Sequence, residues 1–388
     1  MHKIRSLSAA NLAKAVYRFI KRPKTTGGRP SAPLGSRILT NPDDVFKHNM
    51  WDHIQWSEEE KKIAKQKAQE NSCVKIPITE QGKFDTDAHC YWDKFYERHQ
   101  NKFFKDRHWL FLEFPELLSS NSHNKSIPKS DHQTETCLSG RSCPDLETSL
   151  HQQSAISSKH IPDTSYQEVS MKTNEDVLQN SAFPGQHAPF RILEVFKYLN
   201  ILHFLNFFFH YMVESDAFLY CCDFSSCAIE MVKNHQDYDD SVCHAFVHDI
   251  CEEKASFPFP PQSLDVVLAV FVLSSIHPVR LQGVVNTLST YLKHGGIFLF
   301  RDYGRYDLSQ LRFKKGRCLS ENFYTRGDGT CVYFFTKEEV HNLFSKAGLE
   351  EIQNLEDRRL QVNRGKKVAM HRVWMQSKYR RPFPPLPP

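Results

Sequence analysis

From Phe190 onward the chain alternates short, dense apolar runs with longer mixed segments. The runs ILEV (192–195), FLYCCDF (218–224), HAFVHDI (244–250), LDVVLAVFVL (264–273) and GGIFLFRDY (295–303) are rich in Val, Ile, Leu and Phe. Strands covered on both faces read this way, so five central strands of a parallel sheet are expected. The segments between them have lengths suited to crossover helices, HPVRLQGVVNTLSTYLK (277–293) among them. The pattern then changes. FTKEEVHNLFSKAGL (335–349) reads as a capped helix, and RRLQVNRGKKVAMHRVWMQSKYR (358–380) reads as a hairpin turning at Arg364-Gly365. The sum is an α/β chain with a doubly wound sheet closed by an antiparallel hairpin.

The first half has another texture. Ser57-Glu-Glu-Glu60 is a capping box, and KKIAKQKAQE (61–70) continues it as helix. HNMWDHIQW (48–56) and HCYWDKFYERHQNKFFKDRHWLFLEFPEL (89–117) mix aromatic and charged residues. Such a surface either stacks and clamps a nucleic acid or is an amphipathic helix docked on the larger domain. Residues 119–188 turn to Ser, Gln, Asn, Thr, His and Pro and cannot bury enough surface to offset ordering, so a disordered linker is expected. Residues 1–42 hold no Asp or Glu, while Ile4, Leu7, Leu12, Val16, Phe19 and Ile20 recur at helical spacing. That is the composition of a mitochondrial presequence, with a basic RNA-touching tail or a membrane-surface helix as the other readings. The organisation expected is therefore 1–40 presequence or basic tail, 41–118 aromatic and basic region, 119–188 linker, 189–380 main domain, and 381–388 Pro-rich tail.

Composition narrows the class only a little. With 40% apolar and 24% charged residues the chain is neither a fibre nor wholly disordered. A net charge of +5 permits a nucleic-acid partner without arguing for one. The eleven cysteines are scattered, with no C-x-x-C pair, and Cys221-Cys222 would point to opposite faces of one strand. Reduced thiols and no bound metal are expected. The apolar stretch 196–213 is broken by Lys197, Asn200, His203, Asn206 and His210, so no integral membrane span is expected.

In a doubly wound sheet a ligand lies at the carboxyl ends of the strands where the winding reverses. Asp223 ends the second apolar run, placed to accept from both hydroxyls of a ribose. Asp249 ends the third, placed for an adenine amino group, with Ile250 and Val270 to cover the ring. An Asp after a strand is also an ordinary helix N-cap. Two such acids in series with this strand order point to an adenosyl ligand.

HNMWDHIQWSEEE, YWDKFYERHQNKFFKDRHWLFLEF, LYCCDFS, FVHDIC, LSSIHP, RDYGRYDLSQLRFKKGRCLSENFYTRGDGTCVYFF and DRRLQVNR resemble the tRNA N3-methylcytidine methyltransferases. The likeness covers 41–118 and 190 to about 380, and the long second-half run is most similar to the mitochondrial member. It implies a class I S-adenosylmethionine-dependent methyltransferase fold, Rossmann-like, behind an N-terminal helical RNA-binding region. It implies methyl transfer from S-adenosyl-L-methionine to cytidine N3 in a tRNA anticodon loop, in the mitochondrial matrix or else the cytoplasm or nucleus. Trp92, Tyr96, Asp223, Asp249, Ile250 and Val270 would line the cofactor. Arg301, Tyr303 and Arg305 would lie nearest the substrate, and Arg312, Lys314 and Lys315 would meet phosphates. Asp302 is either the catalytic carboxylate at the base edge or a structural acid. A seryl-tRNA synthetase is the protein partner suggested.

The chain departs from this family at one place. Where relatives carry a glycine-rich turn after the first strand, FKYLNILHFLNFFF (196–209) stands, and no glycine occurs between Gly185 and Gly283. Bulky residues there should obstruct the methionine portion of the cofactor. Two functions remain open on the sequence: an active tRNA methyltransferase, or an impaired member acting as an RNA- or protein-binding module.

Overall fold

The computed structural model describes residues 35–99, 109–118, 182–196, 216–252 and 255–385. Most of the expected presequence (1–34), most of the expected linker (119–181) and the segment replacing the glycine-rich turn (197–215) lie outside the described residues. Among those described, the strands are β1 (Met50–Trp51), β2 (Phe190–Val195), β3 (Ala217–Asp223), β4 (Cys243–Val247), β5 (Leu264–Val270), β6 (Leu292–Tyr303), β7 (Cys318–Ser320), β8 (Phe323–Thr325), β9 (Cys331–Tyr333), β10 (Glu350–Asn363) and β11 (Val368–Arg380).

The larger sheet has the order β1-β10-β11-β6-β5-β2-β3-β4. Strands β2 to β6 pair in parallel, and β11, β10 and β1 extend the sheet antiparallel from β6. The chain winds outward from β2 through β3 to β4, then crosses back to β5 on the other side of β2. The reversal therefore falls between β2 and β5, which is where such a sheet opens a crevice.

Along the parallel strands apolar residues alternate between two layers, because successive side chains point to opposite faces. Cys222, Val267, Ala269 and Phe300 enter one layer; Cys221, Leu219, Leu268 and Leu299 enter the other. Helix Leu281–Tyr291 closes the first layer with Leu281, Val284, Val285 and Leu288, an i, i+3, i+4, i+7 stripe. Helix Lys337–Lys346 joins it. A capping box between Thr336 and Glu339 sets its start, and Phe344 stacks on Tyr379 at 4.6 Å.

The region before residue 118 is docked on the second layer. Helix Ala88–His99 buries Trp92, Phe95 and Tyr96, and Leu110, Phe114 and Leu117 follow them in. Ionic contacts fasten its end to the hairpin: Arg359, itself steadied by Asp357 on the same strand at 2.9 Å, reaches Glu113 at 2.6 Å, and Lys378 reaches Glu116 at 2.6 Å. The capping box expected at Ser57–Glu60 is present at the start of helix Glu58–Ser72. From the end of that helix Asn71 donates to the carbonyls of Gln310 and Leu311 at 3.3 and 3.1 Å.

The hairpin turns at residues 364–367, where Lys367 adopts a left-handed φ of +49°. Strand β11 pairs with β6 only from Trp374 to Arg380, so the outer part of the hairpin projects past the carboxyl end of β6. Strands β7, β8 and β9 form a second, small antiparallel sheet that the sequence pattern does not foretell. It is joined to the N-terminal region through Ile76, whose amide donates to Cys318 at 2.8 Å.

Candidate cofactor site at the carboxyl edge

A cavity of about 330 Å³ opens at the carboxyl ends of β2, β3, β4 and β5. Val195 and Phe196 reach it from the end of β2, and Asp223 and Phe224 from the end of β3. His248, Asp249, Ile250 and Cys251 come from the loop after β4; Val272, Ser275, Ile276, His277 and Arg280 come from the segment after β5. The lid is built from two places, Phe84, Asp85, His89 and Trp92 of the N-terminal region and Leu319, Phe323 and Cys331 of the small sheet. Volume and mixed lining are those of a small-molecule site.

Asp223 is the best-held acid in the cavity. It is 2% exposed; one oxygen accepts the amide of Ser225 at 2.8 Å and the other accepts the Tyr96 hydroxyl at 2.7 Å. Ser225 in turn caps helix Ser226–Lys233 through Ala228 and donates its hydroxyl to Asp93. Two residues of one N-terminal helix, Asp93 and Tyr96, thus grip the β3 turn. A carboxylate offers about four lone-pair directions, and these two contacts fix how they point into the cavity. Asp249 accepts the amide of Cys251 at 2.8 Å, which orients its carboxylate beside Ile250. Acids at the ends of neighbouring strands, flanked by the apolar faces of Ile250, Phe224 and Trp92, suit the ribose and base of an adenosyl group.

Burial dominates the titrating groups around the cavity. It draws the His248 imidazole below its ordinary range, against the opposing charges of Asp249 and Glu252, so this ring is neutral at pH 7. It pushes the Cys251 thiol up to about 12. Arg280 bridges the mouth, with one guanidinium nitrogen 3.1 Å from Asp85 of the lid and another 3.1 Å from the Cys251 carbonyl.

Of the residues expected at the cofactor, Trp92, Asp223, Asp249 and Ile250 line the cavity together, and Tyr96 reaches it through Asp223. Val270 lies in the apolar layer, with Val272 two residues on at the cavity wall. The residues expected at the substrate are spread differently. Arg301 is 4% exposed, paired with Asp357 at 2.6 Å, bonded to Gln376 and stacked on Trp374. Arg305 grips Glu339 at 2.8 Å and the Phe334 carbonyl at 3.0 Å. Tyr303 packs against Phe271, ring centres 5.1 Å apart, beneath the Arg326 guanidinium. Arg312, Lys314 and Lys315 are exposed in the loop before β7.

Asp302 is fully buried. Its two oxygens accept the amides of Ser274 and Tyr303, each at 2.8 Å. Three residues before Ser274 stands Phe271, a bulky residue at a left-handed φ of +59° whose amide donates to the carbonyl of Arg301, the neighbour of Asp302, at 2.7 Å. Such a conformation persists only where its surroundings over-determine it, and Asp302 is part of that restraint. His248, Arg280 and Asp93 are site residues that sequence reasoning did not single out, whereas Phe196 stands at the cavity as the first residue of the stretch expected to obstruct the cofactor. Asp93 had a signal: it lies three positions before Tyr96, so the two share a helix face.

Winding order, carboxyl-edge cavity and paired acids define a class I S-adenosylmethionine-dependent methyltransferase fold. The profile of the methyltransferase domain family matches residues 213–354. The tRNA N(3)-cytidine methyltransferase METTL2 of Bos taurus is 49% identical over 361 residues, covering 90% of this chain and 94% of that one. METTL2B of Homo sapiens, a tRNA N(3)-cytidine methyltransferase, is 48% identical over 361 residues with the same coverage. The mitochondrial METTL8 of Homo sapiens is 42% identical over 294 residues, 71% of this chain and 96% of that one. The chain belongs to the tRNA N(3)-cytidine methyltransferase family, a family of enzymes. The METTL2 relatives match it at higher identity, and over more of its length, than this mitochondrial relative does.

Proposed function

We propose that this chain transfers a methyl group from S-adenosylmethionine to N3 of a cytidine in a tRNA anticodon loop. The observation that carries the reading is the cavity itself: Asp223 and Asp249 held at the carboxyl edge beneath a lid that contains Trp92. The named activity of relatives sharing almost half its residues supplies the substrate. When bound, the cofactor supplies an electrophilic methyl group. Cytosine N3 has a lone pair at neutral pH, so no base need remove a proton before attack, and alignment with electrostatics suffices. This agrees with a site in which the His248 imidazole is held neutral and Asp223 and Asp249 are anchored by hydrogen bonds. Asp302 takes part by holding the Ser274 turn, which sets the wall formed by Val272 and Ser275. Tyr303 and the residues it packs with lie nearest the incoming base, and Arg312, Lys314 and Lys315 meet backbone phosphates. An anticodon loop suits this entry, since its bases unstack more readily than those of a duplex.

The acid-free residues 1–42 and the mitochondrial relative support a mitochondrial matrix location; cytoplasm or nucleus is the alternative. A seryl-tRNA synthetase is the proposed protein partner. Among the described residues, no helix is long and apolar enough to cross a membrane. A second reading, an RNA-binding module without catalysis, is favoured by one observation, Phe196 at the cavity wall. Incubation of the full chain with saturating cofactor and tRNA transcripts, followed by digestion to nucleosides, separates the two. 3-Methylcytidine in the digest supports the enzyme; tRNA binding without any methylated nucleoside supports the module.

A further inference from the structure

The two halves of the cavity are unequal. Asp223, Asp249 and Ile250 stand at β3 and after β4 and serve a nucleoside. Whatever extends from that nucleoside toward the winding reversal between β2 and β5 must pass the carboxyl end of β2. Phe196 stands there. It is the first residue past β2, 3% exposed, and part of the cavity wall. Its amide donates to the Cys222 carbonyl at 3.1 Å, so the parallel ladder runs one residue further and fixes where the side chain begins. The ring belongs to the same apolar layer as Trp92.

Folds that pass a ligand over this point place glycine in the turn so that backbone amides can approach without a Cβ intervening. Here a benzyl group occupies that approach. The tail of S-adenosylmethionine carries an ammonium and a carboxylate, and an aromatic wall offers neither a hydrogen bond, so the tail meets both a steric and a desolvation penalty. An adenosine without a tail meets neither.

We infer that Phe196 makes this cavity a nucleoside site, at which adenosine-class ligands lacking an amino-acid tail bind about as tightly as S-adenosylmethionine. Phe196 is the residue that sets that ratio. The inference rests on the adenosyl reading of the cavity and concerns affinity rather than chemistry, so a methyltransferase with weak hold on its donor is compatible with it.

The test is parallel titration of the full chain with adenosine and with S-adenosylmethionine, repeated on Phe196→Ala. The unaltered chain is expected to bind the two within about tenfold of each other, and Phe196→Ala to gain about tenfold or more for S-adenosylmethionine while adenosine changes less than about twofold. Binding of S-adenosylmethionine about a hundredfold tighter than adenosine by the unaltered chain overturns the inference, needs no variant, and leaves the cofactor reading intact. An equal gain for both ligands, or no selective gain, overturns it as well, since the residue then sets only the size of the cavity. Failure of both ligands to bind either chain removes the adenosyl reading and the inference with it.

Discussion

At the scale of single residues, the acids were readable and their partners were not. Asp223 and Asp249 announce themselves by ending apolar runs, and both reach the cavity. The guanidinium groups of Arg301 and Arg305 were equally visible as charges, yet their carboxylate partners, Asp357 and Glu339, lie 56 and 34 residues further along, and local spacing holds no trace of such pairings. Asp302 illustrates what hydrogen bonding adds to residue type. Replacing it with Asn puts an amide N–H₂ against a backbone N–H, which costs about 1–3 kcal/mol at a buried site. Asp302→Asn is therefore expected to lower the thermal midpoint and to weaken cofactor binding through the Ser274 turn. Full retention of both, with loss of turnover alone, would assign Asp302 to the chemistry instead. Tyr96→Phe removes one neutral-to-charged bond to Asp223 and is expected to cost about 1.5–3 kcal/mol in stability by denaturant titration.

At the scale of elements, strands buried on both faces were legible because nothing but a parallel sheet accounts for five such runs at crossover spacing. The small sheet was not. Its strands are three residues each, too short to show a period, and their pairing depends on the Ile76 segment more than two hundred residues earlier. The sequence left open whether the aromatic region before residue 118 clamps RNA or docks; burial of Trp92, Phe95 and Phe114 shows that these aromatics are core. The docking is charge-dependent. Burial alone would raise the Glu113 carboxyl, but hydrogen bonds from Arg359 and Gln376 and the charges of Arg359 and Arg301 bring it below the usual range. Asp357 behaves alike, burial opposed and outweighed by Arg301 and Arg359. Acids with depressed folded-state pKa contribute stability that is complete above their unfolded values near pH 4 and lost as pH falls through the folded values. Thermal midpoints recorded from pH 7 downward should therefore fall steeply below about pH 4, and Glu113→Gln should be less stable at pH 7 with a shallower acid slope. An unchanged slope would mean the clamp does not open before the rest of the fold.

At the scale of the whole molecule, the doubly wound sheet and its hairpin were legible from pattern alone, whereas the lid was not, because it joins the N-terminal region to the small sheet across most of the chain. The outer hairpin projects past the end of β6, on the side where the cavity opens, and Arg312, Lys314 and Lys315 are exposed elsewhere in the same half. If these lysines meet phosphates, Lys314→Ala with Lys315→Ala should weaken tRNA binding uniformly across sequences and reduce the slope of log affinity against log salt by about 0.7–0.9 for each phosphate that is no longer neutralised. Cofactor affinity measured without RNA should not change; a loss there would place the loop at the cavity rather than on the RNA.

The central claim, that the cavity at the carboxyl edge holds S-adenosylmethionine through Asp223, is tested most directly by calorimetric titration of the full chain and of Asp223→Ala with that cofactor. Saturable single-site binding by the unaltered chain, weakened about tenfold or more in an Asp223→Ala protein that remains folded, is the result expected. Binding that Asp223→Ala leaves untouched would contradict the claim, as would no binding by the unaltered chain at millimolar cofactor.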